Sequence, residues 1–274
     1  MMKHIIFLLT LLSIICTTTV VKSQNQRDDK GNKIGLWEEK TNMGTETGYY
    51  IDNQKHGSWA LYSHNNRLLK VTSYINGIKQ GVEVSIDNRG YLQSDVNYEN
   101  DKLHGKETTY RYGYIPTSKI DYKNGEIDGE KIVYYEDQQN KIMEHSQYTN
   151  GMKNGFSKYY DTKGNLIAEY NYVFNRLEGI QKTYYPDTVL MSEQSYTDNV
   201  ENGIFKEYYQ NGNEKVVGNY NMGNKDGIWT YYDEEGFKNL EGMYQNGVQE
   251  GKWRHYNAKG KVIKTDRYKN GVLK

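Results

Sequence analysis

Residues 220–271 decide the fold: Tyr220-Asn-Met-Gly223-Asn-Lys-Asp-Gly227-Ile-Trp229-Thr-Tyr-Tyr232-Asp-Glu-Glu-Gly236, then Phe237 to Tyr244, then the same order again through Gly247, Gly251, Trp253, Tyr256, Gly260, Tyr268 and Gly271. Short runs of Tyr, Trp, Val, Ile and Thr between glycines are strand signals. Nothing in them keeps a 3.6-residue period, which excludes helices. Asp233-x-x-Gly236 and Asn257-x-x-Gly260 predict type I turns closed by a glycine in a G1 bulge. Gly90, Gly164 and Gly212 fill the same slot, as does Gly44 near the start. The unit therefore reads strand, tight turn, strand, second turn.

Outward from this stretch, the pattern fills the chain. One Tyr recurs at 50, 74, 98, 122, 148, 172, 196, 220, 244 and 268, in steps of 24 with a single step of 26. A Gly follows seven residues after each of the first nine, from Gly57 to Gly251, and Gly35 extends that column backwards. Four residues before each of these glycines stands only Gly, Asn or Asp: Gly31, Asn53, Gly77, Asp101 and so on to Gly271. Those three residue types tolerate a positive φ, so this column predicts a left-handed turn position. The longer step predicts two extra residues around Asp137 to Asn140, and Pro116 predicts a local break in its strand.

Alternation predicts that Leu68, Leu92, Ile142, Leu166, Leu190 and Val262, six residues before the repeating Tyr, share its face. A second Tyr column, from Tyr62 to Tyr256, falls five residues after the repeating Gly. Cross-strand ring pairs at roughly 0.2–1 kcal/mol each would replace a thick core. The expected architecture is all-β: an elongated array of about ten 24-residue hairpin repeats in a twisted antiparallel sheet. The units run near 31–49, 50–73, 74–97, 98–121, 122–147, 148–171, 172–195, 196–219, 220–243 and 244–267, with a partial unit at 268–274.

The first 23 residues differ in kind. Lys3 and His4 precede an apolar run from Ile5 to Cys16, and Val21 and Ser23 suit cleavage before Gln24. This layout predicts a secretory signal peptide and an exported protein, in the periplasm, on the outer surface or secreted. The bulky Ile15 before Cys16 argues against lipid anchoring there. No later segment is apolar enough to span a membrane. Cys16 is the one cysteine, so the remaining chain carries no thiol chemistry. Asn is abundant without a single Asn-x-Ser/Thr acceptor, which points to a bacterial source.

Thirty-five basic residues balance 35 acidic ones. That balance gives no electrostatic case for nucleic acid as a partner. Mean hydropathy is −0.95, a value typical of disorder, but 28 Tyr residues argue for a thin fold that buries amphipathic rings.

The pattern Tyr-x-Asn-Gly-x-x-x-Gly-x-Trp-x-x-Tyr-x-x-x-Gly resembles MORN repeats. It is most similar to the bacterial MORN-repeat variant family, whose members bear the name of antitoxins in toxin–antitoxin pairs. The match runs over residues 31–274 and is best over 220–271. The resemblance implies β-hairpin repeats in an elongated sheet, roles in protein interaction, and an antitoxin or immunity role. Glucan- and choline-binding repeats of cell-wall proteins offer a looser resemblance, through Gly227 to Gly236.

No catalytic, metal-binding or cofactor-binding set emerges. The six His residues never adopt a metal-ligand spacing, and His56 and His104 read as solvated turn residues just before the repeating Gly. The turns account for the glycines without a phosphate site. Candidate binding residues are Trp37, Trp59, Trp229 and Trp253, each two residues after the repeating Gly, in the first two and last two complete units. Internal units carry Glu83, Glu107, Lys131, Ser157, Gln181 or Phe205 instead. Exposed indoles in cages would serve a glycan or choline-type ligand. Indoles packed flat on the sheet would mark a protein-interaction scaffold without enzymatic activity, and that is the expected function.

Overall fold

A computed structural model describes residues 24–136 and 140–274. The leader with its cleavage point and Cys16, and residues 137–139 of the insertion, lie outside the described residues. Two compact units divide at Ile78/Lys79. The first holds β1 (Gln26–Arg27), β2 (Lys33–Thr41), β3 (Gly44–Ile51), β4 (Gln54–Ser63) and β5 (Leu68–Ile75). The series of the second is β6 (Ile78–Ile86), β7 (Leu92–Glu99), β8 (Lys102–Arg111), β9 (Ile115–Lys123), β10 (Glu126–Tyr134), β11 (Ile142–Thr149), β12 (Met152–Tyr160), β13 (Leu166–Val173), β14 (Arg176–Leu177), β15 (Gly179–Tyr184), β16 (Leu190–Thr197), β17 (Val200–Tyr208), β18 (Glu214–Asn221), β19 (Asn224–Tyr232), β20 (Lys238–Gln245), β21 (Val248–Tyr256), β22 (Val262–Lys269) and β23 (Val272–Leu273). The protein is all-β. Within each unit successive strands pair antiparallel, as β2 with β3 and β3 with β4, or β19 with β20 and β20 with β21. The repeat count of about ten agrees with this series. Among the described residues no helix is long and apolar enough to cross a membrane.

The left-handed column holds at every position. All eleven residues from Gly31 to Gly271 have positive φ, Asn53 at 66°, Asp101 at 63° and Asn199 at 68° among them. From Asn53 onward the preceding residue is left-handed too, as at Asn246 (49°) before Gly247 (83°). Two successive positive φ values make a type I′ turn, whose twist matches that of the flanking strands. Gln245 pairs directly with Val248 across it. The opposite turns are the expected type I with G1 bulge. The Gly236 N–H donates to the Asp233 carbonyl (3.0 Å), and the Asp233 carboxylate accepts the Phe237 N–H (2.8 Å). Gly44 departs from this set. It pairs with Thr41 inside β3, and a Cβ there would strike the Tyr62 carbonyl.

The repeating Gly is not at a turn. Strands begin three residues earlier, and the glycine is a left-handed bulge inside them, as at Gly227 (φ 75°) in β19. Asn219 pairs with Asp226 and Val217 with Thr230, so the single residue Gly218 faces the three residues 227–229. His56 and His104 accordingly sit in strands, and the His104 Nδ1 lies 2.9 Å from the Glu99 carboxylate.

A second bulge corrects the expected faces. Register slips between Tyr231 and Tyr232, so that Tyr232 pairs with Lys238 and residue 239 is extra. The column six residues before the repeating Tyr thereby turns to the opposite side of the sheet. At its Lys238 and Glu214 positions the side chains bond Glu241 (2.9 Å) and Lys206 (2.9 Å), away from the repeating Tyr. Simple alternation fails wherever a bulge intervenes. The second Tyr column lies on that outer side as well: the Tyr110 hydroxyl donates to Asp95 at 2.6 Å. Pro116 does not break its strand. β9 runs through it, with Pro116 opposite Tyr110 beyond the same slip found in the other units.

In each unit the core is one side of the sheet. In the first unit Trp37, Tyr50 and Trp59 pack edge to face at 5.8 and 4.9 Å. In the second, Tyr220, Trp229, Tyr244, Trp253 and Tyr268 alternate at 5.3, 5.7, 5.1 and 6.1 Å with steep interplanar angles. Edge-to-face aromatic pairs contribute about 0.5–1.5 kcal/mol each beyond the area they bury.

Candidate functional site

The bulge at each repeating Gly aims the residue two places later at the inner side of the sheet. Where that residue is Trp, it closes the surface. Trp229 is fully buried, Trp253 and Trp59 are 2% and 3% exposed, and Trp37 is 8% exposed. Three of the rings lie flat on a glycine of the neighbouring strand: Trp59 on Gly48, Trp229 on Gly218 and Trp253 on Gly242. The Trp59 and Trp229 indole N–H groups donate to the carbonyls of Tyr49 (3.1 Å) and Asn219 (3.2 Å). Trp37 donates to Ile34 (3.0 Å) and Gln26 (3.2 Å). None of the four candidate rings presents an open face to a ligand, which favours the packing reading of these residues.

The surface opens where the Trp gives way. In the second unit Gln181 holds the plug position, 4% exposed. Its amide imitates an indole: Nε2 donates to the carbonyls of Glu178 (3.0 Å) and Gly179 (3.2 Å), while Oε1 accepts the Asn171 N–H (2.6 Å). A flat amide fills far less space than an indole. A depression of ≈ 460 Å³ results, walled by Tyr170, Tyr172, Tyr196, Tyr220 and Phe205, with Leu177 and Glu201 at its rim. Its floor is polar. Gln181 pairs across the strands with Gln194, and Thr183 with Ser192, whose hydroxyls meet at 2.6 Å. Burial, then Glu201, raise the pKa of the Tyr196 and Tyr220 phenols, so both remain protonated donors at neutral pH. Lys153 stands 5.3 Å over the ring of Tyr172 and is held by Glu144 (3.1 Å) and the Tyr159 hydroxyl (2.7 Å).

Sequence reading singled out the Trp positions and missed this depression. Two signals mark it: the loss of Trp at Gln181 and Phe205, and the residues two places before the repeating Gly, which are Leu177 and Glu201 here and Lys in several other units. The Trp–Gly packing was also visible, since Gly48, Gly218 and Gly242 each precede a Trp by 11 residues. Among the described residues no three His, Asp or Glu side chains converge to hold a metal ion.

Fold and surface together define a β-hairpin repeat protein with one aromatic side. No family model matches the chain, and no curated protein matches it. Among solved structures it is similar to a chain in a TcdB2–TccC3 crystal structure, at 13% identity and a TM-score of 0.20, over 89% of this chain and 18% of that one. A chain in a TcdB2–TccC3–Cdc42 crystal structure is similar at 13% identity and a TM-score of 0.17, over 85% of this chain and 16% of the other. The chain thus spans less than a fifth of the chains it matches.

Proposed function

We propose that this chain is an exported, non-catalytic MORN-like repeat protein that acts as a binding scaffold for a protein partner, in an antitoxin or immunity role. The observation that carries the reading is the Tyr-walled depression in the second unit. Tyr offers large, rigid, amphipathic contact area at low cost in side-chain entropy, and aromatic residues are enriched in protein interfaces. The 24-residue recurrence supports the MORN-like class, and the leader-like first 23 residues support export. Carboxylates on the inner side are mostly tied to lysines, as Glu46 to Lys55 (2.6 Å) and Glu144 to Lys153 (3.1 Å), which suits cohesion better than acid–base work.

A second reading, a glycan-binding module, draws on the floor of the same depression. Amides at Gln181 and Gln194 and hydroxyls at Thr183 and Ser192 are groups that sugar hydroxyls bond, and Tyr walls suit sugar faces. A photo-crosslinking residue at Phe205 of the full chain, with a control at Thr230 on the outer side, separates the two. A discrete protein adduct from Phe205 alone is the expected result. Retention on a glycan array without such an adduct would select the second reading and overturn the first.

A further inference from the structure

The inner side of the sheet repeats a three-part arrangement of Tyr, lysine and carboxylate. In five repeats the residue two places before the bulge glycine is a Lys whose ammonium stands over the repeating Tyr that opens the next repeat. The distances to the ring centre are 4.8 Å for Lys33 over Tyr50, 5.5 Å for Lys55 over Tyr74, 4.4 Å for Lys79 over Tyr98, 5.3 Å for Lys153 over Tyr172 and 5.2 Å for Lys225 over Tyr244. Four of these lysines also donate to a carboxylate: Lys33 to Glu39, Lys55 to Glu46 at 2.6 Å, Lys79 to Glu83 at 2.7 Å and Lys153 to Glu144 at 3.1 Å. The fold thus shows how it binds an alkylammonium group, by an aromatic face and an acid together.

At Tyr196 and Tyr220 the arrangement lacks its cation. The lysine column there reads Leu177 and Glu201. Glu201 pairs in register with Tyr196, and its charge bears on both phenols. No Lys, Arg or His among the described residues forms an ion pair with it, whereas the carboxylates of the four complete arrangements all have one. The depression opens at this place, within reach of Tyr196, Tyr220, Phe205 and Glu201. Tyr122, Tyr148 and Tyr268 also lack a lysine in this column, but the Tyr122 hydroxyl engages Glu107, Lys131 stands 5.9 Å over Tyr148, and the column residue ahead of Tyr268 is the uncharged Gln249.

We infer that the depression between Tyr196 and Tyr220 is a receptor for a lysine side chain of a protein partner, with Glu201 and the surrounding rings taking the ammonium as the protein's own lysines are taken elsewhere. A primary ammonium fits better than a quaternary one. The internal lysines reach carboxylates at hydrogen-bond distance, and a trimethylammonium has no N–H to donate. This inference rests on the binding-scaffold reading and adds the chemistry of the contact.

The test titrates the full chain with Nα-acetyl-lysine methylamide at low ionic strength, following the Tyr ring resonances by NMR. Nα-acetyl-norleucine methylamide, which lacks the ammonium, and choline are titrated in parallel. Saturable binding of the lysine derivative is expected, with the norleucine compound weaker by about tenfold, the scale of a partly desolvated cation–π contact. Glu201→Gln, which preserves shape, should weaken the lysine compound by a similar factor of about ten. Glu201→Lys should abolish binding, because it restores the internal lysine of the other repeats. Glu234→Gln, in an exposed turn, should leave the affinity unchanged. Equal binding of the norleucine compound, tighter binding of choline, no saturable binding, or indifference to Glu201→Gln would each overturn the inference. A Phe205 protein adduct that persists in Glu201→Gln, with no lysine binding, would sink this inference while the scaffold reading stands.

Discussion

Trp229 lies flat on the Cα of Gly218, so close that a Cβ at 218 would stand 2.2 Å from the indole Cδ2. The bulge at Gly227 creates this contact by setting three residues against one. Gly218→Ala should therefore destabilise the protein by about 1–3 kcal/mol, the range for overpacking a close-packed site. Trp229→Ala, which removes the ring, should cost about 3–5 kcal/mol. Denaturant melts followed by tyrosine fluorescence would measure both. A Gly218→Ala variant as stable as the parent would show that the indole moves freely off the strand.

Gly227 is glycine for a different reason. Nothing stands within 4 Å of a Cβ built on it, but its φ is 75°. Gly227→Ala should cost about 1–2 kcal/mol through backbone strain alone. Gly227→Asn should recover much of that loss, because Asn tolerates the left-handed region. The same substitution at Gly218 should recover nothing. Parallel thermal melts of the four variants separate the two causes.

Met222 and Phe174 occupy first turn positions where most repeats carry Asn, with φ of 48° and 46°. Both are exposed, Met222 at 72% and Phe174 at 46%. Neither side chain can relieve left-handed backbone by bonding it locally, as Asn does. Met222→Asn should raise stability by roughly 1 kcal/mol, about the left-handed penalty of one residue. An unchanged or lower melting temperature would contradict this account.

Glu144 sets part of the acid limb of stability. Burial opposes its ionised form, but hydrogen bonds from Ser146 and Lys153, with the charges of Lys153 and Lys131, lower its pKa overall. A carboxylate whose pKa falls on folding stabilises the protein fully above its unfolded value, about 4.3. That contribution is lost as pH falls through the lower folded value. Glu144→Gln should therefore lower stability at neutral pH and flatten the decline below pH ~4. Chemical denaturation across that range reads the slope, and an unchanged slope would remove Glu144 from the explanation.

The left-handed turn column and the type I turns were legible because each depends on a few adjacent residues. Left-handed backbone admits little besides Gly, Asn and Asp, so the column from Gly31 to Gly271 announced itself. The bulges inside the strands, at Gly227 and beside Tyr232, were not legible. Gly227 and Gly247 are both left-handed glycines in the same chain, and only pairing with a neighbouring strand makes one a bulge and the other a turn. The error then propagates: with the slip before each second strand unseen, simple alternation puts the column from Leu68 to Val262 on the wrong side. The depression at Gln181 escaped for a related reason. What matters there is a small side chain over a particular neighbour, and the identity of that neighbour depends on register.

Most repeats contain both bulges, and together with the two reversals they return the chain to the same phase after one repeat, normally 24 residues. A whole repeat can therefore be gained or lost without turning any later side chain from one surface to the other. A gain or loss of whole repeats would lengthen or shorten the protein in whole steps, and selection would then act on which steps carry an indole and which leave an opening.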